Sequence, residues 1–310
     1  MPKKIFLIST WAISFFISFN ASALVFEVDK RLDIYEIQDH TIQELAKSVF
    51  TFVPKENLTK RSDGQFELAI KTSLKDSIGL CSGERFGEQP SIGTRCSGFL
   101  SAPTSGVTAG HCVSPLAVKD ICANYYVVFD YSIAAENQPP LVLEPNSVRE
   151  CNGISKLVFD PAPSARTDDY AVINFTKPVL DRKSLSYRKA GTIHDNEEIF
   201  MLGFPHGLPE KISPGRNIVE NADPSYFSTN LDCFHGNSGS PVFNARTFEV
   251  EGIFVRGEGD IPPISSQDPK LIGDFFKNTP MGCYQTLVCR KSEGCSATMD
   301  ATRITRLNFN

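Results

Sequence analysis

The chain reads as an all-β protein assembled from many short strands, and three features carry that expectation. Twenty prolines and 21 glycines are scattered along 310 residues instead of gathered in one tract, which suits short strands joined by turns. Within residues 170–175, Ala171, Ile173 and Phe175 alternate with Tyr170, Val172 and Asn174, the period of a strand with two differing faces. Finally, a glycine-flanked turn at residues 236–241 runs directly into the strand-like pair Val242-Phe243. Hydrophobic content of 41% and charged content of 22% are ordinary for a globular protein. The length allows one large domain or two modest ones, with ample core in either case. No internal repeat or low-complexity tract is visible.

Taken in chain order, the first element is a signal peptide over residues 1–23. Lys3 and Lys4 give a positive start, residues 5–19 are almost wholly apolar, and Ala21-Ser22-Ala23 supplies small residues for cleavage. Its removal leaves 29 basic against 36 acidic residues, a net charge of −7. The mature chain is therefore acidic and has no basic stripe for nucleic acid. No later segment approaches membrane-spanning length. Nine cysteines fit export to an oxidising compartment, so the protein is expected to be secreted or periplasmic. Residues 24–75 read as an N-terminal extension. In it Asp39 or Thr41 could cap a helix, and Thr41 and Glu44 are spaced as a capping box. Ile42, Leu45, Ala46 and Val49 would form its apolar face.

The chemistry concentrates at Gly236-Asn237-Ser238-Gly239-Ser240-Pro241. A serine hydroxyl is a poor nucleophile unless a base takes its proton and N–H groups receive the resulting oxyanion. Gly236 can reach positive φ without a Cβ penalty, which lets two amides point at one spot beside the serine oxygen. The candidate base is His111, in Thr108-Ala109-Gly110-His111-Cys112, because histidine titrates near neutrality. The other histidines, His40, His194, His206 and His235, occupy no comparable setting. A third partner lies in Asp168-Asp169-Tyr170-Ala171-Val172. An aspartate there can accept the second ring N–H of the histidine, fix its tautomer and stabilise the imidazolium.

These three motifs, in the order histidine, aspartate, serine, resemble the triad of chymotrypsin-fold serine endopeptidases. The sequence GNSGSP, together with Gly203-Phe204-Pro205, is similar to the bacterial glutamyl-endopeptidase branch of that family. The likeness covers roughly residues 76–278. It implies two antiparallel β-barrels with the active site in the cleft between them, residues 76–180 carrying His111 and Asp169 and residues 181–278 carrying Ser238. Residues 279–310 would then be a cysteine-rich C-terminal segment. Asp169 matches the family's position better than Asp168, since it directly precedes Tyr-Ala-Val. The resemblance implies an oxyanion hole from the N–H groups of Gly236 and Ser238, and a bridge Cys96–Cys112 across the histidine turn. Position in the same half suggests Cys122–Cys151. Cys81, Cys233, Cys283, Cys289 and Cys295 are left without assigned partners; export and the lack of histidine nearby favour disulfides over zinc.

The implied activity is hydrolysis of protein or peptide substrates through an acyl-enzyme, with no metal and no cofactor. Asp232, six residues before Ser238, has the trypsin-like spacing for a pocket acid that binds Arg or Lys. The alternative is a glutamyl preference, for which Phe254 stands where that branch carries a histidine and Arg256 could substitute. Asn237 stands where trypsins have an aspartate for the new N-terminal amine, so activation by a buried amine is not expected. Val28-Asp29-Lys30-Arg31 faintly resembles the start of mature glutamyl endopeptidases, which would make signal cleavage the activating cut. The competing expectation is a propeptide removed later, near Lys60-Arg61. A catalytically silent, partner-binding homologue is disfavoured by the intact set of three. An α/β-hydrolase esterase would need the serine first in the chain.

Overall fold

Residues 49–54 read Val-Phe-Thr-Phe-Val-Pro, and in the computed structural model they form strand β1 (Val49–Pro54), buried at five of six positions. The structure describes residues 25–308 apart from 70, 71, 93, 94, 116–118, 137, 139–141, 162–166, 259–270 and 273–275; the expected signal peptide lies outside the described residues. An apolar run of this kind is stable only when both faces are covered. Phe50 shows how this is met: its ring packs edge-on to Phe52, Phe129 and Phe175, at centroid distances of 5.5, 5.4 and 6.2 Å. Two strands can approach that ring because Gly98 and Gly106 carry no Cβ; one built there would lie 2.3 and 2.7 Å from it.

Six further strands complete the first sheet: β2 (Ser97–Ala102), β3 (Ser105–Thr108), β4 (Tyr125–Phe129), β5 (Val148–Arg149), β6 (Cys151–Val158) and β7 (Tyr170–Phe175). Their order is β5-β4-β1-β2-β3-β7-β6, antiparallel throughout, curling into a half-barrel. The second half contains β8 (Glu198–Gly203), β9 (Lys211–Glu220), β10 (Tyr226–Thr229), β11 (Pro241–Asn244), β12 (Val250–Glu258) and β13 (Thr298–Arg303). They run in the order β8-β11-β12-β13-β10-β9, and β8 pairs with β9 to close a six-stranded barrel. The all-β, two-barrel architecture expected of the sequence is the one observed.

The domain boundaries need correction. Residues 49–54 do not belong to an N-terminal extension, because β1 lies hydrogen-bonded between β4 and β2. Nor is the preceding stretch detached: Leu32–Asp33 pairs with β9 of the second barrel, and Val25–Phe26 runs parallel to Val288–Cys289. A cut near Lys60-Arg61 would fall in the hairpin of Leu58–Lys60 and Phe66–Leu68 and separate β1 from its barrel. A later-removed propeptide of that extent is incompatible with the fold. Residues 279–310 are likewise no appendage, since β13 sits inside the second barrel between β12 and β10. The cysteine-rich stretch is an excursion between β12 and β13.

Four disulfides hold these parts. Cys96–Cys112 and Cys122–Cys151 form as expected, while Cys81–Cys283 and Cys289–Cys295 fix the excursion. Cys233 stands outside the four bridges, buried, with its Sγ 3.1 Å from Met299 Sδ. The helix His40–Ala46 is capped by Asp39, whose carboxylate accepts the Thr41 N–H at 2.7 Å. Glu44 pairs with Lys47 instead of closing a box with Thr41. Ile42, Leu45 and Ala46 face the core as expected, whereas Val49 already belongs to β1. Along β7 the alternation marks a strand correctly, yet Tyr170 and Val172 are buried too; neighbouring elements cover both faces. No helix among the described residues is long and apolar enough to cross a membrane.

Candidate active site

His111 rides on the short turn Gly110–Val113 that follows β3, and the Cys96–Cys112 bridge ties this turn to β2. Asp169 immediately precedes β7, the neighbour of β3. Sheet register therefore brings the two together. One carboxylate oxygen of Asp169 accepts the His111 backbone N–H at 3.0 Å, and the other lies 2.7 Å from ring Nδ1. A carboxylate only accepts, so Nδ1 donates in this bond and Nε2 is the ring nitrogen that Asp169 does not engage. The Asp169 carboxyl is 8% exposed and the imidazole 30%.

Ser238 comes from the other barrel, on the turn ahead of β11. Gly236 has φ of +95°, and a Cβ added to it would lie 2.3 Å from the Phe204 carbonyl oxygen; glycine is required there on both counts. Within the turn the N–H groups of Asn237, Gly239 and Ser240 are spent on the carbonyls of Phe234, Phe254 and Asn237, at 2.8–3.0 Å. By contrast, the N–H groups of Gly236 and Ser238 make no hydrogen bond among the described residues. Ser238 and His111 line a common cleft of about 360 Å³, together with Gly236, Arg95, His206 and His235. The structure thus joins His111 to Asp169 directly and sets Ser238 in the same cleft.

Ser97, which the sequence does not mark for the site, belongs to β2 of the first barrel and staples the serine turn. Its N–H donates to the Ser238 carbonyl at 2.8 Å, its hydroxyl donates to the Gly236 carbonyl at 2.7 Å, and the Phe204 N–H donates to that hydroxyl at 3.0 Å. Its only sequence signal is its place beside Cys96. His206, assigned no comparable setting from sequence, is a half-buried lining residue; loss of solvent around its ring, then the nearby His235 and Arg31, hold its pKa down to about 3. His235 stands exposed at the cleft rim. Cys96, His111 and Cys112 lie close enough to suggest a metal site, but the two sulfurs are bonded to each other and offer no thiolate.

Asp232 is a correction. Its side chain is fully buried away from the cleft lining, with both oxygens 2.8 Å from Arg216 Nη2. The same carboxylate accepts the Phe26 N–H at 2.7 Å and the Lys30 N–H at 3.3 Å. Burial pushes its pKa up, against the pull of the Phe26 N–H and Arg216. A carboxylate so engaged anchors the N-terminal stretch and is not offered to a substrate side chain. Arg256, the candidate for an acidic side chain, is directed to Asp300, with Nε at 3.2 Å from its Oδ2. Asn237 is 2% exposed.

Residues 96–253 match the family of the trypsin-like peptidase domain, and the chain belongs to it. Two solved structures are similar in fold: a Glu endopeptidase in complex with MPD, at 14% identity over 91% of this chain and 94% of that one, TM-score 0.48, and the VesB protease of Vibrio cholerae, at 11% identity over 90% of this chain and 64% of that one, TM-score 0.49. No curated protein matches the sequence.

Proposed function

We propose that this protein is an exported serine endopeptidase acting through His111, Asp169 and Ser238. The observation that carries the reading is the Asp169–His111 pair facing one cleft with a serine whose turn leaves two N–H groups unspent. Ser238 Oγ attacks a peptide carbonyl as His111 Nε2 takes its proton, while Asp169 holds the ring and supports its positive charge. The N–H groups of Gly236 and Ser238 receive the oxyanion. His111 then protonates the leaving amine, and water repeats the cycle on the acyl-enzyme. Protein or peptide substrates and an oxidising, secreted or periplasmic setting fit the family, the signal-like leader and the four disulfides. Asp232 does not select Arg or Lys, because that carboxylate is committed to Arg216 and the N-terminal stretch. The test is fluorophosphonate labelling of the signal-free protein. Ser238 is the expected site, with label and peptide hydrolysis both lost in Ser238→Ala; hydrolysis that survives in Ser238→Ala would end the reading.

A further inference from the structure

The four residues 167–170 carry Asp169, belong to the first barrel, and are all bonded to the second barrel or its C-terminal tail. The Thr167 carbonyl lies 3.4 and 3.5 Å from the Arg256 guanidinium nitrogens. The Asp168 carboxylate faces Arg306, with Nε 3.0 Å from both oxygens and Nη2 2.9 Å from one. The Asp169 N–H donates to Thr302 Oγ1 at 3.3 Å, and the Tyr170 hydroxyl donates to the Arg306 carbonyl at 3.3 Å.

The tail supplying these partners is itself fixed. Ile304 and Leu307 are each 1% exposed and join the hydrophobic cluster that also contains Tyr170, Ala171 and Phe175 of β7. Lys156 Nζ donates to the Leu307 carbonyl at 2.5 Å. Arg306 thus reaches Asp168 from an anchored turn, and its side chain is 44% exposed. Losing it leaves the anchor in place and releases only the fork on Asp168. The unpaired carboxylate would then stand next to Asp169 in the chain.

We infer that Arg306 is a positioning residue: through its forked bond to Asp168 it holds Asp169 in register with a nucleophile borne by the opposite barrel. The inference rests on the serine-triad reading above. It also gives the first acid of Asp168-Asp169 a task, since sequence spacing could tell only that one of the two faces the histidine. A guanidinium is suited to it because its planar fork sets two nitrogens in fixed geometry against the carboxylate, whereas an ammonium offers one nitrogen on a flexible stem.

The experiment measures kcat and KM separately for the mature protein and for Arg306→Ala, Arg306→Lys and Asp168→Asn, with Ser238→Ala as the inactive reference. In Arg306→Ala and Asp168→Asn, kcat should fall about tenfold with KM within about twofold, as expected when a reacting group loses alignment but binding survives. Arg306→Lys should recover part of the loss. A residue acting through Asp169 has nothing left to act on once Asp169 is replaced. In an Asp169→Asn background, Arg306→Ala should therefore change the residual rate by less than about twofold. Equal losses in both backgrounds, or an unchanged kcat in Arg306→Ala, would overturn the inference while leaving the triad standing. Full hydrolysis by Ser238→Ala would remove the triad reading itself, a separate and recognisable failure.

Discussion

Gly236→Ala isolates the proposed oxyanion site, because the space around Gly236 dictates what a single methyl group would do there. The added Cβ would stand 2.3 Å from the Phe204 carbonyl oxygen and 3.2 Å from the His206 nitrogen, at a φ of +95° that L residues avoid. Phe204 cannot retreat freely: it is wholly buried, and its N–H is held by the Ser97 hydroxyl at 3.0 Å. The peptide at 236 must rotate instead, which swings its N–H out of the cleft. Loss of one oxyanion donor costs about 100- to 1,000-fold in kcat, or about 3–4 kcal/mol of transition-state stabilisation. Ground-state binding does not use that donor, so KM should change little. The assay is steady-state hydrolysis of a peptide ester, with the thermal midpoint recorded on the same samples. Gly191→Ala is the control, since φ there is +73° but no atom lies within 4 Å of its Cβ; it carries backbone strain of about 1–2 kcal/mol and no kinetic effect. A folded Gly236→Ala whose kcat stays within threefold of the parent would refute the reasoning.

Two further outcomes follow from buried charge. Asp232→Ala leaves the Arg216 guanidinium, 8% exposed, without its carboxylate, and should cost about 3–5 kcal/mol in denaturant unfolding; the residue preferred before the scissile bond should stay the same, which a peptide library can check. His206 has a native pKa of about 3 against an ordinary 6.5. Between those values the unfolded chain binds a proton that the native one does not, so stability rises with pH across the window and is lost on acidification. The contribution is on the order of 4 kcal/mol by pH 3, and His206→Asn in a Ser238→Ala background should flatten that part of the stability–pH curve.

What the sequence reveals and what it hides divide along physical lines. Local signals carry the strand at 170–175, the serine turn, the histidine turn and the cap at Asp39, because each depends on residues a few positions apart. Cys96–Cys112, which spans 16 residues, is implied by the resemblance and not by spacing. Partners far apart in the chain are invisible to such reasoning. Cys81–Cys283, separated by 202 residues, leaves no mark in spacing, and neither does the bond between Phe26 and Asp232. Asp232 is instructive on this point. Its distance from Ser238 suggests a substrate pocket, but its environment is set by Arg216 and by a strand about two hundred residues earlier in the chain. Strand β1 reads as part of an extension because its apolar run precedes the recognisable motifs. Only pairing with β2 and β4 reveals it as part of the barrel.

A site split between two barrels is exposed to relative motion of its halves, and hydrogen bonds at both proposed catalytic segments oppose that motion. Ser97, on the first barrel, contributes backbone and hydroxyl hydrogen bonds to the turn that carries Ser238 on the second. Thr302 and Arg306, on the second, grip the segment that carries Asp169 on the first. The two braces run in opposite directions across the cleft, so a rigid shift of either barrel strains both together. Each bond alone is worth about 1 kcal/mol or somewhat more when charged, too little to determine the fold. Their value lies in geometry: misplacement of a reacting group by about 1 Å can cost on the order of 100-fold in rate. Disrupting Ser97 and Arg306 together should therefore lower kcat by more than the product of the two single losses, because each brace limits the displacement that the other's absence allows. Simple multiplicative losses, measured in a double-mutant cycle on kcat, would show instead that the two halves are positioned independently.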